Sequence, residues 1–220
     1  MEHVPDQSEV FDLIAPGWYG FRHNSIFDAE LTELARRWEH GRLLNLGCGH
    51  GADFVPFKDS FELFGVDFAA DMLKYGEKYA QKQGFEPKLT LADIRSVPFA
   101  DDFFDCAISV ACMHHLPDKT EQLKALVELK RVLKPGAEAF ITVWNRNQFR
   151  FWFKHKELLL PWKTARGTVH RYYYLFTFGE ITKLVRSAGL ELLKVRPEQR
   201  YRFPVKIFSR NICVLVKKPL

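Results

Sequence analysis

Arg42-Leu-Leu-Asn-Leu-Gly-Cys-Gly-His-Gly51 is a short apolar run that ends in three glycines at alternate positions. The apolar residues predict a buried parallel strand, and the glycines predict a tight turn in which the backbone can approach a ligand. A second apolar run ends at Asp67, twenty residues after Gly47. A carboxylate at the tip of the next strand can accept hydrogen bonds from ribose hydroxyl groups. This spacing fits an adenosine-containing ligand, whereas the glycine pattern, G-x-G-x-G, does not fit the G-x-G-x-x-G of dinucleotide sites.

The composition indicates one globular domain over residues 1–220. Hydrophobic residues make up 47% of the chain, which is enough for an ordinary core at this length. No apolar run approaches the roughly 18 residues that cross a bilayer, and residues 1–6 lack the order of a signal peptide, so we expect a cytoplasmic protein without a membrane segment. The four cysteines show no C-x-x-C spacing, so neither a disulfide framework nor a metal site is expected.

Charge is distributed unevenly along the chain. Residues 1–140 contain 15 Lys and Arg against 23 Asp and Glu, whereas residues 141–220 contain 17 against 4. Aromatic residues interleave with the cations in residues 146–174, which we interpret as a basic aromatic insertion. Cations for phosphates beside rings for unpaired bases are typical of a single-stranded or loop RNA site. The alternative is a solvated basic face, with the rings packed on the sheet.

From residue 42 onward, predicted strands alternate with predicted helices. This alternation predicts an α/β, doubly wound, Rossmann-like sheet that is mostly parallel and binds ligands beyond the carboxyl ends of its strands. Residues 1–40 are expected to form a helical lid over this edge. The predicted strands cover residues 42–47, 62–67, 88–92, 103–110, 137–144, 190–196 and 211–216, and the predicted helices cover residues 8–19, 25–38, 51–58, 69–83, 119–134 and 177–188.

Several segments together resemble the class I S-adenosylmethionine-dependent methyltransferases. The resemblance covers nearly the whole chain and rests on residues 45–51, 65–67, 91–94, 97–105 and 131–136. It implies a seven-stranded sheet in the order 3-2-1-4-5-7-6 with an antiparallel last strand. It also implies S-adenosylmethionine as the cofactor.

The resemblance further implies which residues hold this cofactor. The backbone of Gly47 and Gly49 would meet the methionine moiety, Asp67 the ribose, and Asp93 with Ile94 the adenine. The family commonly has an acid where this chain has an asparagine, so a water-mediated contact to the ammonium group would lose its charge while an amide oxygen could still accept a hydrogen bond. The complete implied set is Asn45, Gly47, Cys48, Gly49, Gly51, Asp67, Phe68, Met72, Asp93, Ile94 and Val110.

A narrower resemblance is to the tRNA wobble-uridine carboxymethyl methyltransferases, which esterify the carboxylate of 5-carboxymethyluridine in the anticodon loop. It rests on residues 10–16, 21–22, 107–115, 161–162 and 171–176. It implies tRNA as the substrate, with Arg22 and His115 as catalytic residues that face the acceptor. The candidate substrate-binding residues are Arg22, His114, His115, Trp162, Arg166, Arg171 and Tyr172.

Methyl transfer from a sulfonium to a carboxylate needs no general base, so alignment of the reacting atoms is the main task of the protein. The planar guanidinium of Arg22 can bind both carboxylate oxygens, and its alternative role is a salt bridge with Asp12. His115 is expected to donate a hydrogen bond to the carboxylate or to stack beside the extruded base. His114 fits equally well as the cap of a strand end.

Members of the tRNA family act with a small zinc-binding activator protein that extends the sheet along an exposed edge strand. With the implied strand order, the segment from Lys88 to Ala92 is such an edge and is the expected binding site for an activator. Phe61, Phe64 and Phe85 would then leave an apolar surface beside it.

Two other functions stay open at this point. A small-molecule O- or C-methyltransferase of the same fold, acting on a metabolite or a lipid-like acceptor, would have little use for the basic last third of the chain. A non-catalytic binding module would keep the cofactor pocket for stability alone. The fold does not choose between acceptors.

Overall fold

The computed structural model describes residues 6–220, and residues 1–5 of the expected lid lie outside this range. Its strands are β1 (Gly41–Leu46), β2 (Phe61–Asp67), β3 (Lys88–Leu91), β4 (Phe104–Val110), β5 (Leu133–Trp144), β6 (Glu157–Thr164), β7 (Gly167–Tyr174), β8 (Glu191–Pro197) and β9 (Asn211–Lys217). Its α-helices are α1 (Gln7–Phe21), α2 (Asp28–Trp38), α3 (Ala70–Gln83), α4 (Lys119–Val132) and α5 (Phe178–Ser187). No helix in the described range has the length and hydropathy that a bilayer crossing requires.

One sheet of seven strands organises the molecule, in the order β3-β2-β1-β4-β5-β9-β8. The four pairings that join β3, β2, β1, β4 and β5 are all parallel. The last strand, β9, runs antiparallel to both of its neighbours, β5 and β8. The prediction of a doubly wound, mostly parallel seven-stranded sheet with an antiparallel last strand is therefore confirmed.

Helices cover both faces of the sheet, because alternate strand residues point to opposite sides. Leu44 and Leu46 of β1 pack in a cluster with apolar residues of α4 and α5, whereas Leu43 packs in a second cluster with residues of α2 and α3. All three leucines are at most 1% exposed. A central parallel strand is buried on both faces, which explains the continuous apolar run that precedes the glycines.

Two predicted elements differ from the structure. The segment predicted as a helix at residues 51–58 is a 3-10 helix over Ala52–Phe57, and it contains Pro56, which cannot donate a hydrogen bond to a longer α-helix. The helix predicted to reach residue 134 ends at Val132, and β5 begins at Leu133. Pro135 disfavours the helical conformation of the residue before it, so the chain extends at this point.

The basic aromatic segment at residues 146–174 contains a hairpin of β6 and β7 that the sequence pattern did not predict. Its two-residue turn is Ala165-Arg166, and Gly167 follows with a φ of 121°. Residues 158–160 are three consecutive leucines, so the alternation of apolar and polar residues that identifies a half-buried strand is missing.

Helix α1 and the hairpin together cover the carboxyl ends of the central strands. Ile14 and Ala15 of α1 pack in one cluster with Ala69 and Met72, next to and within the first turn of α3. On the other side, the ring of Trp18 lies 5.7 Å from the ring of Trp162 in β6. The hairpin therefore supports the helix that closes this edge of the sheet.

The edge position of β3 agrees with the implied strand order. The expectation that Phe61, Phe64 and Phe85 leave an apolar surface beside it is wrong, because these rings are only 8%, 6% and 7% exposed. They pack into the core, where aromatic rings bury large areas. The large apolar side chain that β3 does expose is that of Leu91, at 59%.

The glycine turn after β1 is determined by backbone conformation and close packing. Gly47 has a φ of +72°, and a Cβ built on it would lie 2.2 Å from the Sγ atom of Cys112. Gly49 has a φ of +53°, but a Cβ there would meet no atom within 4 Å. The amides of Gly47 and Cys48 both donate to the carbonyl of Val66, at 2.8 and 2.9 Å, which ties the turn to β2.

The two glycines provide a matched pair for a stability measurement. Gly47→Ala and Gly49→Ala share the cost of a positive φ, about 1–2 kcal/mol, but Gly47→Ala adds an overlap with Cys112. We expect Gly47→Ala to lower the free energy of unfolding by about 1–3 kcal/mol more than Gly49→Ala in urea titrations. Equal losses for the two variants would contradict this account of the turn.

Candidate active site

A cleft lies at the carboxyl ends of β1, β2, β4 and β5, beneath α1. Its volume is about 100 Å³, and it is lined by the glycine turn, the end of β2, the segment after β4, and the rings of Trp18, Trp144 and Tyr173. Open α/β sheets bind ligands at this edge, where the loops that leave neighbouring strands diverge.

Asp67 ends β2 in this cleft and is only 5% exposed. Its carboxylate accepts hydrogen bonds from the amides of Gly49, at 2.8 Å, and Ala69, at 3.0 Å. Burial raises the pKa of Asp67 to about 6, although these amides favour the charged form. A buried carboxylate of this kind is well suited to accept hydrogen bonds from hydroxyl groups.

Most of the predicted cofactor residues come together here. Asp93 and Ile94 line an adjoining cavity of about 360 Å³, and Phe68, Cys112 and His115 line both spaces. The two cavities are therefore neighbours, which fits an elongated ligand with an adenosyl group. The predicted residues that line the cleft itself are Gly47, Cys48, Gly49, Asp67, Phe68, Met72 and Val110.

Asn45 and Gly51 stand behind this lining. Gly51 adopts a φ of +83° at the start of the 3-10 helix. Asn45 is 0% exposed, and neither its Oδ1 nor its Nδ2 atom finds a hydrogen-bond partner among residues 6–220. A buried amide without partners costs about 1–3 kcal/mol, so this position fits a water or ligand group that completes its hydrogen bonds.

Arg22 lies where α1 ends and lines the cleft. Its guanidinium carbon is 4.7 Å from the centre of the Trp18 ring. Burial lowers the pKa of Arg22, and the nearby Asp53 carboxylate opposes this shift. The alternative salt bridge with Asp12 is not formed, because the Asp12 carboxylate accepts instead from the amide of Asp71 at 2.7 Å.

Arg171 lies behind the same aromatic wall and is 8% exposed. Its guanidinium carbon is 4.7 Å from the Trp162 ring, 5.3 Å from the Tyr173 ring and 5.8 Å from the Trp18 ring. Within the described part of the chain its Nε atom has no hydrogen-bond partner, and neither Arg171 nor Arg22 forms an ion pair. Two cations without a paired carboxylate therefore share the Trp18 ring.

The two histidines carry their protons on different ring nitrogens, because Nδ1 accepts a hydrogen bond in His114 and donates one in His115. Burial lowers the pKa of His114 well below its usual value and that of His115 to about 4, so both are neutral at pH 7. The Nδ1 atom of His114 accepts from the amide of Trp144 at 3.3 Å, which puts its proton on Nε2. The Nδ1 atom of His115 is 2.8 Å from the Tyr172 carbonyl and must donate to it, which leaves Nε2 as an acceptor.

The expectation that His115 donates a hydrogen bond to a carboxylate therefore does not fit its neutral tautomer. His115 offers an acceptor, and the donor of the pair is Nε2 of His114. Both rings contact the Tyr173 ring, at 5.2 Å for His114 and 4.6 Å for His115. Stacking beside a base remains compatible with this arrangement.

The other predicted substrate residues take different positions. Trp162 packs on α1 near Trp18, and Arg166 is exposed at the hairpin turn. Tyr172 does not reach the cleft: its ring lies in the core, and its hydroxyl donates to the carbonyl of Pro117 at 2.6 Å. Because side chains alternate along β7, Tyr173 lines the cleft in its place.

His50 is a site residue that the sequence analysis missed, although it lies inside the glycine motif. Its Nε2 atom donates to the carbonyl of Arg22 at 2.6 Å, and Tyr79 donates to the carbonyl of His23 at the same distance. Burial lowers the pKa of His50 to about 4 despite this hydrogen bond. His50 and Tyr79 thus hold the end of α1, and with it Arg22, against the body of the fold.

Comparison with known proteins identifies methyltransferases. A family model described as a methyltransferase domain matches residues 44–141, which run from β1 into β5. A probable tRNA methyltransferase 9B from Bos taurus is 30% identical over 165 residues, and the match covers 74% of this chain and 34% of that protein. The tRNA (carboxymethyluridine(34)-5-O)-methyltransferase of Arabidopsis thaliana is 34% identical over 143 residues, which cover 63% of this chain and 32% of that protein. This chain thus spans about a third of the length of these two relatives.

A relative with another acceptor matches over a larger share of its own length. The 2-phytyl-1,4-naphtoquinone methyltransferase of Trichormus variabilis is 29% identical over 188 residues, which cover 76% of this chain and 79% of that protein.

Solved structures share the fold. The CcbJ methyltransferase of Streptomyces caelestis superposes with a TM-score of 0.79 at 16% identity, covering 98% of this chain and 100% of that one. A putative methyltransferase in complex with the Trm112 methyltransferase activator of Haloferax volcanii gives a TM-score of 0.70 at 16% identity, covering 99% of this chain and 98% of that one.

The raised pKa of Asp67 predicts a pH dependence of cofactor binding. Protonation removes acceptor capacity from the carboxyl group, so the affinity for S-adenosylhomocysteine should be constant above pH 6 and fall up to about tenfold per pH unit below it. Calorimetric titration between pH 5 and 8 measures this dependence. Asp67→Asn should bind more weakly at pH 7 and show a flat profile; a flat profile for the unmodified protein would contradict the role of Asp67.

Proposed function

We propose that this chain, which belongs to the class I S-adenosylmethionine-dependent methyltransferases, esterifies the carboxylate of 5-carboxymethyluridine at the tRNA wobble position. The observation that carries the proposal is that Arg22, which lines the cleft, and Arg171, which is buried behind its aromatic wall, have no ion-pair partners among the described residues. An anionic acceptor would complete their charge.

The methyl transfer requires the protein mainly to position the reacting atoms. S-adenosylmethionine, when bound, supplies an electrophilic methyl group on a sulfonium; the new C–O bond replaces the C–S bond, and the electron pair of the broken bond stays on sulfur. The acceptor carboxylate loses its charge as the ester forms, and no proton has to move. Arg22 holds and orients the carboxylate, and α1 and the hairpin exclude water from the cleft.

The histidine pair is suited to the base of the acceptor. A uracil ring carries an N3–H donor between two carbonyl acceptors. The free acceptor of His115 and the Nε2–H donor of His114 complement such an edge, and the Tyr173 ring beside them offers a surface for stacking. This complementarity supports a pyrimidine substrate.

Two further features support tRNA as the carrier of this base. The last third of the chain has 17 Lys and Arg against 4 Asp and Glu, and the hairpin that supports α1 exposes Lys163 and Arg166. Basic surface next to a cleft increases affinity for a polyanion, in a salt-dependent way. Two of the relatives are tRNA methyltransferases by name.

Methylation of a small-molecule acceptor is the second candidate function, because one relative is a naphtoquinone methyltransferase by name. An apolar quinone would leave the buried Arg171 without a counter-charge, which is unfavourable. The carboxylate acceptor is therefore the better fit to this cleft.

An activator protein is part of the proposal. The structural neighbour in complex with the Trm112 activator supports a small partner of that kind. The edge strand β3 offers unpaired backbone groups and the exposed side chain of Leu91 for extension of the sheet.

The function is tested by incubating the chain, with and without a Trm112-type activator, with labelled S-adenosylmethionine and bulk tRNA, followed by digestion to nucleosides. A labelled methyl ester on a uridine is the expected product. Label recovered only in small metabolites would refute the proposal in favour of the second candidate.

Arg22→Ala should lower kcat/KM for tRNA that contains 5-carboxymethyluridine by about 100-fold, because the carboxylate loses its orienting partner. Arg22→Lys keeps the positive charge but loses the planar guanidinium that binds two carboxylate oxygens, so its kcat/KM should lie between those of the unmodified protein and Arg22→Ala. Arg36→Ala, which removes an exposed cation from α2, is the matched control and should be unchanged. Normal turnover by Arg22→Ala would show that the carboxylate is held elsewhere.

Leu91→Lys should prevent co-elution with a Trm112-type activator in size-exclusion chromatography, because it places a charge on the exposed edge of β3. Val127→Lys makes the same change at an apolar residue of α4 that is 49% exposed, and it should leave the complex intact. Co-elution of both variants would place the partner on another surface.

A further inference from the structure

A second concavity lies outside the cleft, between the segment that follows β5 and the loop that joins β8 to β9. Its volume is about 690 Å³. We call it the arginine groove, defined by its four arginines and two of its aromatic residues: Arg150, Arg200, Arg202, Arg210, Phe149 and Phe208.

The positive charge of the arginine groove is not neutralised. None of its arginines forms an ion pair within residues 6–220. Burial and repulsion from Arg210 lower the pKa of Arg150, which indicates cations held close together. The acidic residue of the lining, Glu198, is 8% exposed, and its carboxylate accepts from the amide of Asn211 at 2.9 Å. Glu198 therefore holds the loop and forms no ion pair with these arginines, and Arg150 donates through Nε to the neutral amide oxygen of Gln148 at 2.9 Å.

The loop that carries three of these arginines is held in place by two buried amides. The Nδ2 atom of Asn145 donates to the carbonyls of Ile207 and Ser209, at 2.7 and 2.8 Å. The Nε2 atom of Gln148 donates to the carbonyl of Arg210 at 2.9 Å. Both asparagine and glutamine are at most 4% exposed. Buried hydrogen bonds therefore fix the position of the loop that forms one side of the arginine groove.

Aromatic rings are exposed along the same surface. Phe149 and Phe208 stack with their centres 4.9 Å apart, and Phe149 is 62% exposed. Phe203, which also lines the arginine groove, is 53% exposed. Exposed rings between unpaired arginines match the alternation of bases and phosphates in a single strand.

The arginine groove is continuous with the cleft. Ile26 lines both spaces. The guanidinium carbon of Arg150 lies 4.8 Å from the ring of Trp144, whose other neighbours include His114 and Tyr173 of the cleft. A polymer with one nucleotide in the cleft can therefore continue directly into the groove.

We propose that the arginine groove binds single-stranded RNA that flanks the nucleotide in the cleft. The inference rests on the proposed function and adds the path of the substrate strand. The four arginines bind consecutive phosphates, and Phe149, Phe203 and Phe208 stack on unpaired bases. Since these contacts read backbone and ring faces, the groove binds without strong preference for sequence.

An anionic membrane is the competing occupant, because Val205 and Ile207 of the same loop are 42% and 50% exposed. The observations favour RNA, since the arginines line a concave space beside a cleft, whereas membrane contact uses a convex apolar tip. Vesicle binding is included in the test as a separate outcome.

The test compares two double variants that each remove two exposed cations. Arg200→Ala/Arg202→Ala changes the groove, and Lys183→Ala/Arg186→Ala changes α5. Binding to a labelled single-stranded RNA is measured by fluorescence anisotropy across a salt series. The groove variant should lose about tenfold in affinity at low salt, and the slope of log K against log salt should fall by about 1.4, or about 0.7 per phosphate contact. The α5 variant should match the unmodified chain.

A second pair separates stacking from charge. Phe203→Ala should weaken binding about tenfold with an unchanged salt slope, whereas Phe153→Ala, at a ring that is 100% exposed outside the groove, should have no effect. Calorimetry with S-adenosylhomocysteine checks that every variant keeps the cofactor site.

Equal RNA affinity of the groove variant and the α5 variant, or no RNA binding by the unmodified chain, overturns the inference. So does loss of binding to phosphatidylserine vesicles in the groove variant with RNA binding intact. The product analysis tests the proposed function independently. If a methyl ester forms on a uridine but the groove variant binds RNA normally, the RNA-binding role of the groove is refuted and the proposed function stands. If the label appears on a small metabolite, the proposed function is refuted, whatever the groove binds.

Discussion

The parallel pairing of β1 with β2 on one side and β4 on the other brings three strand ends to the same edge of the sheet. Each end delivers one part of the site: the glycine turn, Asp67, and the segment that holds the histidine pair. The turn fits only because Gly47 has no Cβ to collide with Cys112. The Gly49 amide then donates to the Asp67 carboxylate, so the loops that follow two different strands form one continuous surface of the cleft.

The opposite wall of the cleft is built by elements outside this parallel core. Helix α1 brings Arg22, and the hairpin of β6 and β7 brings Arg171 and Tyr173. His50 joins the two halves, since it belongs to the glycine motif and donates to the carbonyl of Arg22. The glycine turn and the end of α1 are therefore linked through one neutral histidine. Burial keeps it in that state by lowering its pKa to about 4.

The cationic side chains of this molecule fall into two groups: those that pair with carboxylates and those that do not. Arg95, Arg131 and Lys134 bind carboxylates and support the fold. Arg22 of the cleft and the four arginines of the arginine groove have no such partners among the described residues, and they line concave surfaces that meet at Ile26. Unpaired cations on adjoining concave surfaces attract anions, which is the basis of the proposal that one anionic substrate contacts both surfaces.

Local patterns were sufficient for the alternation of strands and helices, the glycine turn and Asp67, because apolar periodicity and glycine spacing depend on neighbouring residues. The order of the strands, Arg22 and the histidine pair were predicted only through resemblance. Local patterns could not choose between Tyr172 and Tyr173, since one step along β7 reverses the direction of a side chain. Nor could they place Gln148 beside Arg210, which is 62 residues away. Contacts of that kind arise when the folded chain buries distant amides together, and no short window of sequence contains them.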